Sequence, residues 1–75
     1  MINTITEIIA KFAGKRPTKE AHLFDEGYLD SLGFLGMVEE LENYFNVEMT
    51  PELMNEENFS NLEQIELTIT QLQKR

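Results

Sequence analysis

The chain has 75 residues, with 14 acidic and 6 basic side chains, a formal net charge of −8 and no cysteine. This length predicts a single domain over residues 1–75 with a small core, and the missing thiols exclude disulfides and cysteine-ligated metal sites. The acidic balance argues against nucleic acid as a partner and favours proteins with basic patches.

The first eleven residues do not resemble a targeting segment. Glu7 interrupts their apolar stretch and no basic residue precedes it, which is unlike a signal peptide. No stretch of the sequence approaches the length of a membrane span. We therefore expect a soluble, cytoplasmic monomer that does not insert into a membrane.

The first predicted helix runs from near Asn3 to Ala13. Apolar residues recur along it at helical spacing, and Gly14 follows as a natural terminator. The apolar stripe consists of Ile2, Ile5, Ile8, Ile9 and Phe12. One face of this helix is therefore predicted to lie against the core.

Residues 15–30 show no sustained periodicity and form a long predicted loop. A loop of this length in a small domain is either functional or disordered. Four apolar residues in it, Leu23, Phe24, Tyr28 and Leu29, predict an ordered loop that is anchored to the core.

The second predicted helix begins at Asp30 or Ser31, since both residue types are good N-caps. At 100° per residue, one face gathers the apolar residues and must lie against the core. These residues are Phe34, Met37, Val38, Leu41, Tyr44 and Phe45.

The opposite face of this helix carries Leu32, Leu35, Gly36 and Glu39. The two leucines form either a docking surface or a surface covered by the preceding loop. Gly33 and Gly36 each cost a helix interior up to about 1 kcal/mol relative to alanine. Close approach by a partner backbone or a prosthetic arm accounts for them, and simple tolerance in an early turn is the alternative.

The remaining elements are also helical. Thr50 and Pro51 predict the start of a short third helix that ends at about Glu56, and the run from Ser60 to Glu63 is a capping box that opens the last helix. The apolar stripe of that helix is Leu62, Ile65, Ile69 and Leu72. The predicted fold is all-α, a small four-helix bundle of three longer helices and one short helix with a long first loop.

Ser31 is the candidate functional residue, because its hydroxyl lies where the loop becomes a helix. A phosphate attached there would meet the unpaired N–H groups and positive end of the helix. A serine hydrolase is excluded because His22 is the sole histidine, Leu29 replaces the first glycine of the nucleophile elbow and no strand precedes the serine. No catalytic residue and no metal site is predicted.

The run Leu23-Phe24-Asp25-Glu26-Gly27-Tyr28-Leu29-Asp30-Ser31-Leu32 resembles the acyl carrier protein family. The resemblance implies an acyl-carrier-protein-like fold, 4′-phosphopantetheine bound covalently to Ser31, and no catalysis by the chain itself. It also implies a phosphopantetheinyl transferase, an adenylating acyl or aminoacyl ligase, and an acyltransferase or condensing enzyme with a basic docking surface as partners. Asp30, Leu32, Leu35, Gly36 and Glu39 are the expected recognition residues.

The second half of the chain resembles the free-standing D-alanyl carrier proteins, at Phe45-Asn46-Val47-Glu48 and around Pro51 and Phe59. Fatty-acid carriers usually have acids where this chain has Gly33 and Gly36. The resemblance therefore favours a specialised carrier of a thioester-linked acyl or aminoacyl group. The alternatives are a fatty-acid synthesis carrier and an acidic helical interaction or adaptor protein with no prosthetic group.

Overall fold

The computed structural model describes residues 1–74 and contains three α-helices. They are α1 (Ile2–Ala13), α2 (Ser31–Phe45) and α3 (Leu62–Gln73), with two 3₁₀ turns, Pro51–Leu53 and Glu57–Phe59, between α2 and α3. The described residues contain no strand, so the all-α prediction is confirmed. No helix in the described part of the chain is both long and apolar enough to cross a membrane.

The expected short helix from Pro51 to Glu56 is not continuous, because asparagine side chains compete for its backbone groups. The first 3₁₀ turn ends at Leu53, and the ψ of 68° at the next residue, Met54, is not helical. The Asn55 side chain donates to the Glu52 carbonyl (3.0 Å) and accepts from the Asn58 N–H (2.9 Å). These local bonds replace the regular helical ladder, so the segment forms two short turns.

Helix α3 begins one residue later than the capping box predicted. Its N-cap is Asn61, whose side chain accepts from the Gln64 N–H at 2.8 Å. The Ser60 hydroxyl instead donates to the Glu57 carbonyl at 3.1 Å. The capping-box interpretation was wrong because Asn61, an equally good cap, lies next to Ser60 and is the residue that caps the helix.

The core draws on all three helices, the long loop, the segment that follows α2 and the second 3₁₀ turn. Its buried residues are Ile5, Ile8, Ile9, Leu23, Leu29, Met37, Val38, Leu41, Met49, Phe59, Leu62, Ile65 and Ile69. The core faces predicted for α1 and α3 are confirmed at their isoleucines, and Gly14 ends α1 in the left-handed conformation (φ 79°). Burying these side chains supplies the main driving force for folding.

Tyr44 was wrongly predicted to face the core, since 66% of it is exposed. The next residue, Phe45, still packs against the core, so Tyr44 lies at the edge of the apolar face of α2 and not within the core. Its ring packs edge-on against Phe45, with the ring centroids 4.9 Å apart.

Gly36 was also misplaced, because it does not lie open to solvent for a partner. The ring of Phe12, from α1, covers it: a Cβ built on Gly36 would stand 2.5 Å from Phe12 Cε1. Such a distance is far inside van der Waals contact. The glycine is therefore explained by the close approach of α1 within the molecule.

We expect Gly36→Ala to have different effects with and without the Phe12 ring. In a Phe12→Ala background the substitution should raise the free energy of unfolding by about 0.5–1 kcal/mol, because alanine is the better helix former. In the wild type this increase should be lost, since the ring must move. Urea denaturation of the four proteins measures the coupling, and the same increase in both backgrounds would contradict the packing described.

Candidate functional site

The site is built on the first turn of α2, where Asp30 is the N-cap. Its Oδ1 accepts from the Gly33 N–H at 2.7 Å, and its carbonyl accepts from the Phe34 N–H at 2.8 Å. The N–H groups of Ser31 and Leu32 precede this first helical bond, so the helix itself offers them no acceptor. The helix start therefore presents two backbone donors beside the serine.

Ser31 is the first residue of α2 and is exposed. Ser60, the one other serine in the sequence, is partly buried, and its hydroxyl donates to a backbone carbonyl. Of the two hydroxyls, that of Ser31 is the one an external enzyme can reach.

A cleft of ≈ 690 Å³ opens beside Ser31. Its lining comprises Phe24, Leu29, Asp30, Ser31, Phe34, Leu35, Met54, Asn55 and Glu56. The lining is partly apolar, and its polar part includes the Asp30 and Glu56 carboxylates and the Asn55 amide. The aromatic contacts Phe24–Phe34 (5.6 Å between centroids) and Phe34–Phe59 (5.1 Å) link this lining to the core.

The outer face of α2 is uncovered next to this cleft. Leu32 is 83% exposed, Leu35 is 55% exposed, and Glu39 is also exposed. The loop does not cover the leucines, so that alternative was wrong, while their role as a docking surface stays a prediction. Gly36 is the exception, because it lies under the Phe12 ring.

His22 belongs to a tight turn of the long loop. Its Nδ1 accepts from the Asp25 N–H at 3.2 Å, and its backbone N–H donates to Glu26 Oε2 at 2.7 Å. The histidine is thus occupied in shaping the loop. Among residues 1–74, no group of three or more histidine and acidic side chains is arranged to hold a metal ion.

Sequence reasoning missed Phe12 and Met54 as parts of this region. Phe12 fell on the predicted core stripe of α1, yet 38% of it is exposed. Gly36 was the available signal, because a glycine inside a helix can make room for a neighbouring side chain. No sequence pattern indicated that Met54 would line the cleft, because its position depends on the irregular turn after Pro51.

A family model for the phosphopantetheine attachment site matches residues 3–69. The chain belongs to this family. No curated protein matches the chain. The resemblance to acyl carrier proteins is thereby confirmed: the family binds 4′-phosphopantetheine covalently, and its carrier domains are not catalytic themselves.

The residues present fit such a group. A phosphodiester requires a reachable hydroxyl and tolerates negative charge best beside N–H donors, and Ser31 offers both at the start of α2. The apolar part of the adjacent cleft offers a surface for a flexible arm. The chain is therefore a phosphopantetheine carrier protein, and such carriers interact with transferases and ligases.

Asp30→Ala should lower the free energy of unfolding by about 1 kcal/mol, because the Gly33 N–H loses its acceptor. Asn61→Ala, which removes the matching cap of α3, should cost about the same. Asp30→Asn should retain most of the stability, since asparagine caps as well as aspartate. Chemical denaturation compares the three variants, and an Asp30→Asn loss as large as that of Asp30→Ala would contradict a capping role.

Proposed function

We propose that Ser31 carries the 4′-phosphopantetheine and that the chain shuttles a thioester-linked acyl or aminoacyl group between enzymes. The observation that supports this most is the exposed hydroxyl at the first residue of α2, within a chain of this family. The bound group supplies the thiol that the chain lacks. The protein's part is to hold the group and to present it to successive enzymes.

In the attachment reaction, Ser31 Oγ attacks the phosphorus of coenzyme A that bears the pantetheine arm. The new O–P bond forms as the bond to 3′,5′-adenosine diphosphate breaks, and the serine proton passes to a base on the transferase. Asp30 would hold the first turn in place through its bond to the Gly33 N–H, and its carboxylate would offer a negative charge to the transferase. Afterwards, the N–H groups of Ser31 and Leu32 stabilise the negative phosphodiester.

Partner recognition is proposed at the outer face of α2. Leu32 and Leu35 supply exposed apolar contacts beside the serine, and Glu39 supplies a negative charge for a basic docking surface. An adenylating ligase would dock on this face to load the thiol. An acyltransferase or condensing enzyme would dock on it to unload the thiol. Asp30 completes this set on the loop side.

The cargo is proposed to belong to a specialised pathway, as in the D-alanyl carriers that the sequence resembles. Fatty-acid carriers usually have an acid at the place of Gly36. With Phe12 across that position, an acidic side chain would have to displace the ring. The packing therefore supports a carrier that lacks the acidic pattern of fatty-acid synthesis.

Incubation with a broad-specificity phosphopantetheinyl transferase and coenzyme A tests the attachment site. The wild type should gain the mass of one phosphopantetheine group, and Ser31→Ala should gain none while keeping its helical circular dichroism. Ser60→Ala is the matched control and should be modified like the wild type. An unmodified wild type would favour an acidic adaptor with no prosthetic group, and modification of Ser31→Ala would place the attachment elsewhere.

The charge of Asp30 is tested with the same assay. Asp30→Asn should be modified more slowly than the wild type although it keeps the helix cap, because only the charge has been removed. Initial rates at equal carrier concentration provide the measurement. An unchanged rate would mean that Asp30 acts as a cap alone.

A further inference from the structure

Phe12 has an unusual position for a residue of an amphipathic helix. Its ring lies across α2 at Gly36, and its Cβ is 3.9 Å from the position that a Cβ on Gly33 would occupy. Yet 38% of the residue remains exposed. The ring is thus part of the surface where the C-terminal end of α1 meets the N-terminal half of α2.

This ring joins the two exposed leucines of α2. Leu32 and Gly36 are neighbours on the helix surface at a spacing of four residues, and Leu32 and Leu35 are neighbours at a spacing of three. Because Phe12 covers Gly36, the three apolar side chains follow one another across α2. We call Phe12, Leu32 and Leu35 the α1–α2 patch.

Core burial does not explain the patch, because Leu32 and Leu35 are largely exposed and Phe12 is only partly buried. A glycine inside a helix is unfavourable, and at position 36 it admits a ring that is not fully buried. A group of exposed apolar side chains marks an interaction site more often than single exposed residues do. The patch begins one residue after Ser31, the proposed attachment site.

A positive charge lies at the α1 edge of this region. Lys15 Nζ is 4.7 Å from the centroid of the Tyr28 ring, in the loop segment that leads into Asp30. This cation–π contact holds the ammonium near the surface. Lys11 pairs with Glu40 and Arg16 pairs with Glu7, whereas within residues 1–74 no carboxylate forms an ion pair with Lys15.

We propose that the phosphopantetheinyl transferase docks on the α1–α2 patch, with Phe12 in an apolar pocket of the enzyme and Lys15 beside one of its carboxylates. This inference rests on the proposed attachment to Ser31. The transferase must bring its active site to Ser31 Oγ itself, so it has to contact the surface around that atom. Enzymes that load or unload the thiol act at the far end of the arm and are not bound by this constraint.

Steady-state kinetics with a broad-specificity transferase test the proposal, with the carrier concentration as the variable. Phe12→Ala should lower kcat/KM about ten-fold, mainly through KM, as truncation of a central aromatic anchor does. Leu67→Ala is the matched control: Leu67 is an exposed apolar residue of α3 (51%), and its truncation should leave kcat/KM unchanged. Circular dichroism at the assay temperature verifies that each variant is folded.

The Lys15 contact is tested separately, with variants that leave the core untouched. Lys15→Glu should lower kcat/KM about three-fold, as expected for loss of an exposed ion pair, while Lys15→Arg should retain it. Lys74→Glu changes the net charge equally at the end of α3 and should have no effect.

The outcomes distinguish a failure of this docking proposal from a failure of the proposed attachment to Ser31. A wild type that is not modified at all would overturn the proposed function. Normal modification of Ser31 in the wild type, with unchanged kinetics for Phe12→Ala and Lys15→Glu, would overturn the docking proposal alone. If Phe12→Ala does not fold, the Lys15 and Lys74 variants decide, and equal effects of the two charge reversals would count against the proposal.

Discussion

The long connection between α1 and α2 is held at Leu23, and the position of the site depends on this anchor. The side chain of Leu23 is fully buried. Its N–H donates to the Ser60 carbonyl (2.7 Å), and its carbonyl accepts from the N–H groups of Tyr28 (2.9 Å) and Leu29 (3.0 Å). One residue therefore ties the loop both to itself and to the start of α3. Because buried backbone groups must be paired, this arrangement fixes where the chain enters α2 and hence where Ser31 lies.

Periodicity predicted the three long helices because a buried stripe repeats at the helical period. It also predicted the start of α2, since Asp30 is an N-cap residue type and the apolar repeat follows at once. Periodicity gives only the angle of a residue around its own helix. It does not show how far neighbouring elements cover each position, and Phe12 and Tyr44 were therefore placed in the core although both are exposed.

The irregular segment between α2 and α3 escaped prediction for another reason. Pro51 and Ser60 were typical helix-start residues, but Asn55 and Asn61 offered the backbone competing partners nearby. Such a competition is decided by small energy differences, of about 1 kcal/mol for a cap. The sequence pattern does not show which of the competing backbone partners is the more stable.

The acidic residues of α2 have different surroundings. Glu40 pairs with Lys11 of α1 across the helix interface. Glu42 accepts from the Met49 N–H at 2.8 Å and so connects α2 to the segment that follows it. Glu39 remains exposed on the outer face. Some acids of α2 therefore form contacts within the fold, while Glu39 stays exposed at the surface.

The packing of Phe12 on Gly36 links two positions that are distant in the sequence. Any side chain at position 36 would have to displace the Phe12 ring, so the two positions are sterically coupled. A single substitution that introduced the acidic pattern of fatty-acid carriers at position 36 would first disturb the contact between α1 and α2. A side chain at position 36 is therefore accommodated more easily once position 12 has become smaller, so the order of the two substitutions would matter in evolution.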